Sequence, residues 1–105
     1  MEITLQDLQV LLSGKVQESG YEMYLGKKVF IRSVTHHYTG LVTKVSAMTM
    51  LIEKAAWIAS DGRFNEAMRD VSKFDEVEMY EKPVSIGLGA ILDITEIDKL
   101  PDVTK

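Results

Sequence analysis

The chain contains no cysteine, only two prolines and a single tryptophan among its 105 residues. Without thiols, disulfides, thiolate nucleophiles and cysteine-ligated zinc are all excluded. Long apolar runs are also missing. The longest, Ile86–Leu92, contains two glycines and falls far short of the roughly 20 residues a membrane helix needs, so no membrane partner is expected. The opening MEITLQDLQV lacks a basic region followed by a long apolar one, so it does not read as a secretion signal, and a cytoplasmic location is expected. Acid is absent from one whole stretch. Between Glu22 and Glu53 there is no Asp or Glu, while Lys27, Lys28, Arg32, Lys44, His36 and His37 all fall there. A polyanion has a strip to use, although lysines on exposed strand faces give the same pattern. The net charge of −4 comes from residues 51–105, where twelve acids face seven bases.

What is present is mostly strand patterning. Val29–Val34 is rich in β-branched and aromatic residues and reads as a strand, and Thr35–Gly40 reads as a turn in which Gly40 permits a bend or bulge. Leu41–Ser46 alternates. Met50–Ile58 is a third strand, with Met50 and Ile52 on one side and Leu51 and Glu53 on the other. From Val84 to Thr95 the even positions are apolar, one buried face over a length unusual for a single strand. The Gly87/Gly89 pair predicts a tight turn dividing it into two short strands.

Two stretches read as helix. Leu5, Leu8, Leu11 and Leu12 recur at helical spacing behind a Thr4 cap, predicting a helix over about 4–13. Phe64, Ala67, Met68 and Val71 do the same inside residues 59–83, which read as a helix-bearing insertion between strands three and four. Asp75, Glu76, Glu78 and Glu81 lack the spacing of a calcium loop and read as a solvated face. The last residues, PDVTK, are expected to fray. The whole is read as one domain, 1–105, with strands within 28–58 and 84–97.

GKKVFIRSVTHHYTGLVTKVSAMTMLIEKA followed by VSIGLGAILDITEI, behind a short helix, resembles the Sm-like family. The resemblance implies a mainly β fold: a small, five-stranded, strongly bent Sm-like or SH3-like barrel with an N-terminal helix. It also implies homo-oligomeric rings of six or seven subunits. VSAMTMLIEKA is similar to the family's first motif and IGLGAILDI to its second, with Gly40 placed like the glycine that bends the second strand. The AAWIA…GRF pattern is also similar to small uncharacterised phage-type proteins.

In the family, RNA bases are held in the ring pore by an aspartate and an asparagine of the first motif and an Arg-Gly of the second. Here Ser46 lies near the aspartate position, Thr49 falls at the asparagine, and Gly87-Leu88, ahead of Gly89, replaces Arg-Gly. Met48 retains an apolar surface for stacking. Single-stranded RNA recognition needs guanidinium planes and polar groups at base edges, so the implied pocket has lost most of its chemistry.

Outside the motifs, His36 and His37 would point to opposite faces on a strand and converge only in a turn, and no Asp, Glu or Cys within ten residues completes a metal or proton-transfer site, so a solvent-exposed or interfacial turn is expected. Together with Tyr38, Arg32 and Lys44 they form an aromatic and basic cluster suited to stacking on bases or packing on a neighbouring subunit. Trp57, beside Ala55-Ala56, reads as core or subunit contact, and Ile91, Leu92 and Ile94 as candidate interface residues. Gly87-Leu88-Gly89 lacks the strand-then-helix context and lysine of a phosphate loop. No arrangement points to an enzyme, a metal or a cofactor. The expected role is a ring-forming structural or adaptor module with an unidentified protein partner; the alternative is single-stranded RNA or nucleotide binding through the pore or the basic strand surface.

Overall fold

A computed structural model gives the fold and describes residues 19–105. The predicted helix over 4–13 lies outside them. The described chain is mainly β, built on an antiparallel sheet that is not closed. Its strands are β1 (Lys28–Ser33), β2 (His37–Val45), β3 (Thr49–Ser60), β4 (Glu76–Met79), β5 (Val84–Gly87) and β6 (Ile91–Glu96). One short helix, α1 (Phe64–Arg69), lies between β3 and β4. Single 3-10 turns occupy Glu22–Tyr24, Val71–Lys73 and Leu88–Ala90. Among the described residues no helix is long and apolar enough to cross a membrane.

The strand order is β4-β3-β2-β1-β6, with β5 also pairing with β3. The strand β3 is long enough to hold two partners end to end. Thr49–Ile52 pairs with β5, and Ala56–Ser60 with β4. The division falls at Lys54, whose φ of 51° is left-handed, a rare conformation for a residue with a side chain. Here two residues of β3, Lys54 and Ala55, lie opposite Gly40 alone, between the pairs Thr39↔Ala56 and Leu41↔Glu53. This is a β-bulge, and it moves the inward position from Ile52 to Ala55 instead of Lys54. Gly40 therefore sits inside β2, not in the turn expected at 35–40. A Cβ on it would stand 2.8 Å from Ile52 Cβ, so the close crossing of the strands requires glycine.

The sheet has to curl. Alternating antiparallel pairings make β5 and β6 run in the same direction at opposite edges of β5-β3-β2-β1-β6. Laid flat, four strand spacings would separate them by about 19 Å. The only link is Leu88–Ala90, and a 3-10 turn of that size advances about 8 Å. The glycine-flanked turn predicted from the sequence is thus present and sets the curvature.

Curling gives the sheet two buried faces. On the inner one lie Val29, Ile31, Val42, Met50, Ile52, Ala55 and Ile86, with Tyr21, Tyr24, Leu88, Ile91 and Ile94 packed at the margin. On the outer one lie Phe30, Ala56, Ile58, Ala67, Phe74, Val77 and Ile97. Strand β1 is buried on both sides, which is why VFI is a continuous apolar run. Phe30 stacks on Phe74 at 5.7 Å and meets Phe64 edge-on at 5.8 Å.

Three expectations change here. The strands number six, not five, because Glu76–Met79 of the expected insertion pairs with β3. Asp75, Glu76, Glu78 and Glu81 are exposed as expected, but Val77 is buried, so Glu76 and Glu78 form the exposed row of a strand and Asp75 and Glu81 flank it. The final residues do not fray. Val77 and Lys105 exchange backbone N–H···O bonds of 2.8 Å, Met79 N–H donates to Thr104 Oγ1, and Pro101 is buried. Apolar positions at 97, 100 and 101 give that segment a surface to bury.

Candidate functional site

The two motif regions meet at one end of the sheet. The turn from β2 to β3 carries Ser46 and Met48, and Thr49, the first residue of β3, pairs with Gly87. Leu88 N–H donates to Met48 O at 2.9 Å, while Ser46 N–H donates to Thr49 O and the two hydroxyls lie 2.8 Å apart. Met48 is 78% exposed, and Gly87 and Gly89 are exposed beside it. Glycines at 87 and 89 leave open space where side chains would stand. The site offers a thioether surface and two hydroxyls occupied with each other. Lys44 is exposed further along β2, opposite Leu51.

The aromatic and basic cluster is divided between the two faces of β2. His36 and Tyr38 turn to the inner side, where they meet Trp57 and Tyr80. The rings follow one another: Trp57 to His36 at 5.5 Å, His36 to Tyr38 at 6.0 Å, Tyr38 to Tyr80 at 6.3 Å. Trp57 is 37% and Tyr80 40% exposed, so the row has a solvent-facing edge. Burial, then the nearby Tyr80 hydroxyl, raises the Tyr38 phenol above its ordinary value. Tyr80 was not foreseen. Its signal is its phase with Glu78, the cross-strand partner of Trp57.

His37 and Arg32, themselves cross-strand partners, turn to the outer side. His37 Nδ1 lies 3.0 Å from both carboxylate oxygens of Asp61, and its ring meets Phe30 edge-on at 5.6 Å. Arg32 Nε lies 2.9 Å from both oxygens of Asp93, and its guanidinium stands 5.9 Å over the Phe64 ring. The bond from Arg32 holds the Asp93 carboxyl below the usual carboxylate range, and the same contact raises Arg32. Asp61 and Asp93 come from 24 and 61 residues away, so proximity in sequence gave no sign of either. Held this way, Arg32 is neutralised by its neighbour and is a poor phosphate contact. Among the described residues no three His, Cys, Asp or Glu side chains gather as a metal site.

Of the candidate interface residues, Ile91 and Ile94 pack into the inner cluster of their own chain. Leu92 is 68% exposed, because β6 bulges there: Asp93 pairs with Arg32 and Ile91 with Ser33, which leaves Leu92 unpaired and breaks the period-2 phase that places it with Ile94. Trp57 is at the surface. No family model, no curated protein and no solved structure matches the chain.

Proposed function

We propose that this chain is a ring-forming structural or adaptor module, an Sm-like curved barrel whose edge strands dock copies of itself. One observation carries the reading. Strands β5 and β6 each have a strand on one side only among the described residues, β3 for the first and β1 for the second. An unpaired strand edge presents a row of N–H and C=O groups that favours another strand. Two different edges on one chain make a head-to-tail contact, and such contacts close into rings when the rotation allows. The strand order, the 3-10 turn joining β5 to β6 and the Gly40 crossing support the barrel.

Light scattering coupled to size exclusion tests this. Leu88 N–H faces β3, so with period two the N–H groups of Ser85 and Gly87 face outward. Ser85→Pro removes one of them, and Leu92→Glu places charge on the other edge. The wild-type chain should run at a fixed multiple of its mass and both variants as folded monomers. A wild-type monomer at every concentration ends the proposal.

The row Trp57-His36-Tyr38-Tyr80 favours a second reading, single-stranded nucleic acid held by base stacking. Oligo-U should then quench Trp57 fluorescence, more weakly as salt rises. No binding below roughly 100 µM in low salt removes it.

A further inference from the structure

The outer face carries a groove that neither reading uses. It has a volume of about 500 Å³ and lies between the first four strands and the C-terminal segment. Its floor is apolar: Leu41, Met79 and Leu100 are half-buried there and Pro101 is buried. Met79 and Leu100 also flank the outer cluster, so the groove is the open rim of that core. Three exposed ammonium groups surround it, from Lys28, Lys54 and Lys99, against one carboxylate, Asp102. In a chain of net charge −4 this is a local reversal of sign.

None of the three lysines forms an ion pair among the described residues. Lys28 Nζ reaches only the neutral Asp98 carbonyl, at 3.4 Å, and Lys99 stands near enough to Asp70 to stabilise its charge. Lys54 is the one described residue other than glycine with a positive φ, a conformation that disfavours any side chain. Glycine would satisfy the bulge without strain, yet the position holds a lysine at the groove. On the far side of Lys54 a neighbouring depression mixes Glu53 and Glu81 with Lys54 and Lys82, so the excess of positive charge is on the Lys28–Lys99 side.

We propose that this groove docks an extended acidic segment of a partner protein, one that alternates carboxylates with apolar side chains. The carboxylates meet Lys28, Lys54 and Lys99, and an apolar side chain covers Leu41, Met79 and Leu100. Charge complementarity sets the sign of the partner, and the apolar floor separates such a segment from a simple polyanion. No groove residue belongs to β5 or β6, so docking and self-assembly are independent.

The test uses fluorescence anisotropy with a labelled ten-residue peptide alternating Glu and Leu. A Glu-only peptide, a Lys/Leu peptide and oligo-dT serve as comparisons. The Glu/Leu peptide should bind at least about tenfold more tightly than the others, a difference of about 1.4 kcal/mol. Lys54→Gly removes the charge and the backbone strain together, so it should keep the thermal midpoint or raise it while weakening binding about threefold or more. Lys28→Glu combined with Lys54→Glu should abolish binding with the assembly mass unchanged, which separates this result from the test of self-assembly. Equal binding of the Glu-only peptide or of oligo-dT overturns the proposal in favour of a general polyanion surface. Binding that ignores both lysines, or none at roughly 100 µM, overturns it as well.

Discussion

The two faces of the sheet are buried by different means. The inner face is filled by residues two apart on the strands, Val29 and Ile31, Met50 and Ile52, so curling the sheet brings the strands' own side chains together. Among the described residues no second sheet covers the outer face. It is covered by α1, the turn that follows it, and the C-terminal segment, which bring Ala67, Phe74 and Ile97 against Phe30 and Ile58. Local alternation is enough to build the first. The second depends on segments distant in sequence returning to β1, and it also creates the His37–Asp61 contact and the lysine groove.

Because β1 supplies both faces, the two clusters should fail together. The largest effect is expected from Phe74→Ala, which deletes a fully buried ring stacked on Phe30. It should destabilise the fold by about 3–5 kcal/mol in urea unfolding, comparable to Met50→Ala on the inner face at about 2–5. If Phe74→Ala costs less than about 1 kcal/mol, the outer layer is a loose cover and the comparison breaks.

A smaller effect, of opposite sign, belongs to Thr39. Its hydroxyl is fully buried on the outer face and has no hydrogen-bond partner among the described residues. Thr39→Val removes that unsatisfied group at nearly constant volume and should stabilise by about 1 kcal/mol. A loss of stability would show that the hydroxyl has a partner.

The smallest effect concerns Arg32 and Asp93, a half-exposed pair at the margin of the outer face. Asp93 has its folded pKa depressed below the ordinary 3.8. Its contribution is present above that value and is lost as pH falls through the folded pKa. The urea midpoint of Arg32→Gln should therefore fall slightly below that of the wild type at neutral pH, and the two should converge below pH 3.8. A gap that persists in acid would mean that Arg32 acts through its packing on Phe64.

Much of the strand pattern was readable. Val29–Val34, Met50–Ile58 and the two halves of Val84–Thr95 lie where alternation puts them, and the helical spacing of Phe64, Ala67 and Met68 marks α1. The missed strand is instructive. Glu76-Val77-Glu78-Met79 alternates acid with apolar, but four acids in a short span read first as a solvated face. The C-terminal segment was read as frayed because its polar residues hide the buried Pro101 and the backbone exchange at Val77. For the candidate residues, the faces of His36 and His37 did not follow from the sequence, since β2 starts at His37 where a turn is expected, and the two rings turn to opposite sides. Their partners did not follow: Asp61, Asp93 and Tyr80 reach them only through strand register.

By itself the sequence determined the positions of β1, β3, β5 and β6, the glycine turn between the last two strands and the absence of thiol chemistry. Each depends on residue type or on a period of two, which a local reading detects. Only the tertiary structure decided the Gly40 crossing against Ile52, the phase shift at Lys54, the second core on the outer face and the meeting of three lysines over Leu41. Those features arise from which strands pair and in what register, and register depends on contacts between residues far apart in the chain.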